Sequence, residues 1–171
     1  GIDGPPTDQA MMPEMIALRL HRWLALREPV ECMPVVREAG RRTADYIIAN
    51  RIPAPAVWLL HHLPARLAAP LLMGAIRHHA WTFVGAGRFT PQGAWAFTID
   101  RSGPGKAAWP PATLFEWYAA VFTRLYQRLV DPRCACAVRG AEPASPSVRH
   151  YRIDRAATPA DIGEIPASLQ P

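Results

Sequence analysis

Acidic residues are missing altogether between Asp45 and Asp100. A hydrophobic wall without carboxylates neither repels an anionic ligand nor competes with it for a metal, so this gap favours something large, apolar and either acidic or metal-bearing. Lysine is almost as scarce: Lys106 is the only one, and arginine supplies the rest of the basic charge. Those arginines are scattered through amphipathic segments, and no zinc-finger, RNP or helix-turn-helix pattern accompanies them. The formal charge of +5 therefore does not make this chain a nucleic-acid binder. Cysteine is sparse and odd in number. Cys32, Cys134 and Cys136 make no disulfide framework, and Cys134-x-Cys136 lacks a second pair at zinc spacing. A reducing, intracellular compartment is expected, with Cys134 and Cys136 at alternate positions of a strand facing one side. No signal peptide is visible and no unbroken apolar run is long enough for a bilayer, so the expectation is a cytoplasmic protein that at most touches a membrane surface.

Catalytic signatures are missing as well. There is no Walker-type loop, and Gly85-Ala86-Gly87 follows a helical pattern, which is the wrong context for a dinucleotide fingerprint. No His-Glu-x-x-His helix and no nucleophile elbow occur, and Ser102 has no base nearby in sequence. Self-sufficient nicotinamide chemistry and hydrolysis both lack their apparatus.

What is present is a chain of 171 residues, half of them hydrophobic, which is enough for one domain with one core. Nineteen prolines imply short elements with stiff connections. Residues 1–12 read as a flexible arm, 13–155 as a single ligand-binding domain and 156–171 as a loose tail. A helix is expected from Pro13 to Arg27 with Met15, Leu18, Trp23 and Leu26 on its apolar face. A second, with Pro34 early in it, runs to Asn50. Val36, Ala39, Thr43, Tyr46 and Ile47 line one side, and Glu38 is spaced to pair with Arg42.

A short piece over Val57–His61 precedes a long apolar helix from Pro64 towards Val84. In that helix Leu67, Leu71, Ala75, His78 and Thr82 form one stripe, and Leu72, Ile76, His79 and Phe83 a neighbouring one. Ala94 to Ile99 alternates as a strand, with Trp95, Phe97 and Ile99 on one face, and a Gly/Pro-rich loop from Arg101 to Pro111 displays Trp109. Thr113 is placed to cap a helix ending at Val130, with Leu114, Trp117, Tyr118, Val121, Leu125 and Leu129 inward. Its wet side holds Glu116, Thr123, Arg124, Gln127 and Arg128. Strands over Arg133–Arg139 and Val148–Ile153 complete an α+β arrangement, with helices packed on one face of a small antiparallel sheet.

Four of the six histidines fall inside the acid-free segment as two adjacent pairs, His61-His62 and His78-His79. Neighbours on a helix point about 100° apart, so at most one of each pair faces a given ligand. Core packing accounts equally well for Trp81, Phe83, Trp95 and Trp109, and solvation for Arg77 and Arg88, although either arginine suits a carboxylate.

Three stretches carry a resemblance. They are Arg37-Glu38-Ala39-Gly40-Arg41-Arg42-Thr43-Ala44-Asp45-Tyr46-Ile47, then Ala49-Asn50-Arg51-Ile52-Pro53, then His79-Ala80-Trp81-Thr82-Phe83-Val84-Gly85-Ala86-Gly87-Arg88-Phe89. Together with the helix over Trp117–Val130, these resemble the bacteriochlorophyll-biosynthesis family long called 4-vinyl reductases, over roughly residues 12–155. The resemblance implies an α+β domain like that of vesicle-tethering complex subunits, dimeric through its helices and enclosing an apolar cavity. It also implies a role on the route from protochlorophyllide to bacteriochlorophyll. Many relatives of the domain carry extra cysteines and a Cys-Phe ending near the last strand, where this chain reads Arg149-His150-Tyr151-Arg152-Ile153.

The expected function is therefore that of a carrier with no intrinsic cofactor. It would bind a magnesium tetrapyrrole, a divinyl protochlorophyllide or chlorophyllide, and present it for vinyl reduction, in the cytoplasm or peripheral to the photosynthetic membrane. The expected contacts are Leu72, Ile76, Arg77, His78, His79, Trp81, Phe83, Arg88, Trp95 and Trp109, with His79 as axial ligand to magnesium and His78 second. The alternatives are the vinyl reductase itself, although the chain shows no place to hold a hydride or electron source, and an assembly or regulatory protein for a pathway enzyme.

Overall fold

Helix α5 is the centre of the fold, lying between a second helix and the sheet. The computed structural model describes residues 14–27, 31–80, 87–102, 110–141 and 147–156. Among these the order is α1 (Glu14–Arg27), α2 (Cys32–Asn50), α3 (Ala54–His62), α4 (Ala65–His79), β1 (Arg88–Pro91), β2 (Ala96–Asp100), α5 (Ala112–Leu129), β3 (Cys134–Ala141) and β4 (Val148–Arg155). The four strands form one antiparallel sheet in the order β1-β2-β4-β3, so the architecture is α+β. The expected N-terminal arm, the tail beyond Ala156 and most of the Trp109 loop lie outside the described residues, as do Trp81 and Phe83.

Burial along α5 is wider than a single amphipathic stripe. Phe115, Ala119, Ala120, Phe122 and Tyr126 are buried in addition to the expected Leu114, Tyr118, Val121, Leu125 and Leu129, because the helix is covered on two sides. Its polar positions are spent on neighbours rather than on water alone. Glu116 accepts from Arg37 of α2 at 3.0 Å, and Arg124 forms a fork with Asp45 of α2 at 2.9 and 3.1 Å. Thr123 bonds the backbone of Cys136, and Gln127 donates to the Cys134 carbonyl. Thr113 is not the cap: Pro111 holds that position, and the buried Thr113 hydroxyl donates to the His21 carbonyl at 3.1 Å. A hydroxyl that reads as a helix start thus ties α1 to α5.

The face of α2 also differs from expectation. Its buried row is Cys32, Val36, Gly40 and Ala44, four residues apart and mostly small, while Ala39 and Tyr46 are turned away from the core. Small side chains in that row let the two helix backbones approach closely. The Glu38–Arg42 pair forms as spaced, at 2.9 Å, and Arg41 joins it. On α1 the inward residues are His21 and, in part, Leu18, whereas Trp23 and Leu26 point to solvent.

The sheet buries Phe97 and Ile99 as alternation requires, with Tyr151 and Ile153 inward on β4. Phe97 stacks on Phe122 at 4.0 Å and on Tyr151 at 4.6 Å, and Phe89 stacks on Phe122 at 5.9 Å. These rings occupy the space between sheet and α5. Strand β1, unforeseen in the sequence, is joined to β2 through a turn containing Gly93, whose φ of 90° suits glycine. Cys134 and Cys136 do face one side of β3, with Ala135 and Ala137 on the other. Burial pushes the Cys134 thiol up to about 11 and raises that of Cys136 further, which makes both poor nucleophiles.

Candidate functional site

The described part of the acid-free segment folds into the last turn of α2, α3, α4, β1 and most of β2, and its four histidines occupy the C-terminal turns of α3 and α4. Proline sets both helix starts. Pro53 and Pro64 hold extended backbone at the N-cap positions, and each helix then runs until its histidine pair. One-turn spacing consequently places Trp58, His61 and His62 on one side of α3.

The expected site residues separate into three groups. Leu72 and Ile76 are buried in the main core together with Ala68, Ala69 and Met73, and Trp95 packs against that core with its ring 5.8 Å from Tyr126. Their apolar character is used in packing. Arg77, His78 and His79 are exposed at the end of α4, and Arg88 is exposed on β1. His79 was expected to continue the buried row of Leu72 and Ile76; instead that row ends at Ile76, and the two imidazoles meet each other edge to face at 4.9 Å. Trp81, Phe83 and Trp109 lie outside the described residues. The complementary stripe of α4 is turned outward as well, since Leu67 and Leu71 are 48% and 52% exposed. Helix α4 is thus apolar on a buried face and on an outward one.

A groove of about 380 Å³ opens elsewhere, between the end of α2 and α3, lined by Ile48, Ala49, Ile52, Ala54, Val57, Trp58 and His61. A smaller one of about 190 Å³ adjoins it across His61, bordered by the end of α5 and the residues that follow it, from Gln127 to Pro132. The larger lining contains no charged carboxylate or guanidinium. Trp58, 62% exposed, stands at its edge and stacks on His62 with ring centroids 4.3 Å apart and planes inclined by 31°.

Hydrogen bonding distinguishes the two imidazoles of this pair. His61 Nε2 lies 2.8 Å from the Arg128 carbonyl and His62 Nδ1 lies 2.7 Å from the Trp58 carbonyl. A carbonyl only accepts, so in the neutral ring the geometry assigns the proton of His61 to Nε2 and that of His62 to Nδ1. The His61 bond satisfies one of the carbonyls left over at the end of α5 and fastens α3 to it. The i, i+3, i+4 spacing of Trp58, His61 and His62 is the signal in the sequence that marks this pair.

Among the described residues no group of three or more His, Cys, Asp or Glu side chains is arranged to hold a metal ion, and no helix is long and apolar enough to cross a membrane. The site offers apolar surface, an indole and single imidazoles.

No protein-family model matches the chain, and no solved structure matches it. Two curated proteins do. The chain is 41% identical over 148 residues to the bacteriochlorophyll synthase 23 kDa chain of Cereibacter sphaeroides, covering 82% of this chain and 72% of that protein. It is 40% identical over 134 residues to the bacteriochlorophyll synthase 23 kDa chain of Rhodobacter capsulatus, covering 77% of this chain and 62% of that protein, so it spans less than two thirds of the latter. Identity of this extent, over a segment that includes most of the described fold, places the chain in the family of the bacteriochlorophyll synthase 23 kDa chain, proteins of bacteriochlorophyll biosynthesis.

Proposed function

We propose that the chain binds a magnesium tetrapyrrole of this pathway, a divinyl protochlorophyllide or chlorophyllide, and delivers it to the enzyme that reduces the vinyl group. The observation that carries this reading is the surface formed by the end of α2 and by α3. It combines an apolar groove, an exposed tryptophan and the exposed imidazoles of His61 and His62 in a segment without a single carboxylate. A flat, sparingly soluble macrocycle needs such apolar cover, and its propionate needs a cation. Arg77 and Arg88 are exposed, but Arg77 sits at the far end of α4, roughly 18 Å along the helix from its start beside His62, and Arg88 follows on β1, so neither is assigned to the propionate of a pigment held at α3. The magnesium, already held by four ring nitrogens, accepts one further donor, and a neutral imidazole can supply it even though this ion prefers oxygen.

Delivery requires a receiving protein. The relatives are named as a chain of bacteriochlorophyll synthase, which supports association with a pathway enzyme. The exposed apolar side chains of α1, Leu20 and Trp23, offer surface for it.

Spectral titration of the purified protein with divinyl protochlorophyllide tests the proposal. A shift of the pigment bands with quenching of tryptophan fluorescence at micromolar protein is expected; the absence of both changes would remove the carrier reading. Formation of the ethyl product from protein, pigment and reduced nicotinamide or ferredoxin alone would replace it with the reductase.

A further inference from the structure

Resting on the tetrapyrrole reading, we infer that the ligand's metal is bound at His62 of α3, through Nε2, with the macrocycle set against the edge of Trp58, the residue that separates His62 from the adjoining apolar groove.

The first support is the protonation pattern. His62 gives its Nδ1–H to the Trp58 carbonyl at 2.7 Å, which leaves the lone pair on Nε2, the outer ring nitrogen. An imidazole that donates one nitrogen to a carbonyl and offers the other is in the form a metal ligand requires, with its tautomer and ring direction fixed beforehand. His61, the adjacent residue, has the opposite arrangement. Its Nε2 is committed to the Arg128 carbonyl, so it serves as the anchor of α3 on α5 and not as the donor.

The second support is the lack of other donors. A free divalent ion needs three or four protein ligands, and no such cluster occurs among the described residues. One fixed imidazole beside apolar surface can complete the coordination of a metal whose other positions are filled by its own chelator, as in a metallated macrocycle.

The third support is the indole. Trp58 holds the His62 ring at 4.3 Å and keeps 62% of its own surface exposed. A macrocycle bound axially at Nε2 stands across the imidazole plane and therefore meets the neighbouring indole by its edge, a favourable arrangement for aromatic pairs. Ile48, Ile52 and Val57 continue the apolar surface beyond it.

The test uses the whole chain and two probes, magnesium protoporphyrin IX and metal-free protoporphyrin IX, titrated into wild type, His62→Ala and His79→Ala. Wild type should bind both, and the magnesium form should show an axial-ligand shift. His62→Ala should lose at least tenfold in affinity for the magnesium form, keep its affinity for the metal-free one, and regain the spectral shift with added imidazole. His79→Ala should match wild type. An unchanged magnesium spectrum in His62→Ala, or its loss in His79→Ala, would overturn the assignment while leaving pigment binding intact. Failure of wild type to bind either probe would overturn the carrier reading and this assignment with it. Because His62 is exposed, equal thermal midpoints for the three proteins are expected and serve as the folding control.

Discussion

Gly40 of α2 faces Ala120 of α5 so closely that a β-carbon added to it would come within 2.7 Å of the Ala120 β-carbon and 2.8 Å of the Trp117 carbonyl oxygen. The obstacle includes backbone, so the helices themselves would have to separate. Gly40→Ala should therefore destabilise by about 1–3 kcal/mol despite the roughly 1 kcal/mol that alanine gains over glycine in a helix. Gly74 is the control. It lies on the open side of α4, where an added β-carbon would meet nothing within 4 Å, and Gly74→Ala should stabilise by about 0.5–1 kcal/mol. Urea unfolding of both variants checks the pair, and a neutral Gly40→Ala would show that α2 and α5 do not pack at this distance.

The ring stack between sheet and α5 carries the second expectation. Phe97 is fully buried against Phe122, Tyr151 and Phe89, so Phe97→Ala removes three ring contacts and leaves a void in the stack. A loss of about 3–5 kcal/mol is expected by chemical denaturation. A cost under about 1 kcal/mol would mean that the stack is loose and the interior has room to spare.

Much of this arrangement is legible in the sequence, and the failures have physical reasons. Periodicity finds α5 and β2 because their buried rows are long and regular. It misreads α1, α2 and the histidine end of α4, because apolar residues on these elements lie on both faces and spacing cannot tell which face meets the core. Trp23 and Leu71 read as interior yet are 54% and 52% exposed. Gly40 carries no signal of its own in the sequence, and the approach of Ala120 and the Trp117 carbonyl explains it. The carboxylate gap marks one region of surface, but the choice between His62 and His79 depends on carbonyls four residues away and ring contacts that spacing alone does not reveal.

Acid sensitivity should have a histidine component. His21 is buried beside Trp117, its Nδ1 has no hydrogen-bond partner among the described residues, and desolvation lowers its pKa below the ordinary value of 6.5. The unfolded chain therefore takes up a proton near pH 6.5 that the folded chain refuses. Stability is full above that pH and falls as pH drops through it towards the lower folded value. Glu38, Asp131 and Asp154, held low by hydrogen bonds from arginines, act only in the more acidic carboxylate range. Denaturation midpoints at about pH 7.5 and about pH 5.5, one unit to either side of the ordinary imidazole value, should differ for wild type and much less for His21→Phe. Equal differences would assign the effect elsewhere.

The exposed large hydrophobic side chains of the described residues all belong to α1–α4, and none to the sheet or α5. A folded chain seldom leaves so one-sided a distribution uncovered. Since the family resemblance implies a dimer formed through helices, the outward row of Leu67 and Leu71 on α4 is expected to be covered by a second copy. Leu67→Glu with Leu71→Glu should lower the molecular mass measured by sedimentation from dimer to monomer. Because both side chains are about half exposed, the change should cost the fold itself little, within about 0.5 kcal/mol per site. A wild-type chain that sediments as a monomer at tens of micromolar, or a double variant that remains a dimer, would show that this face serves another partner.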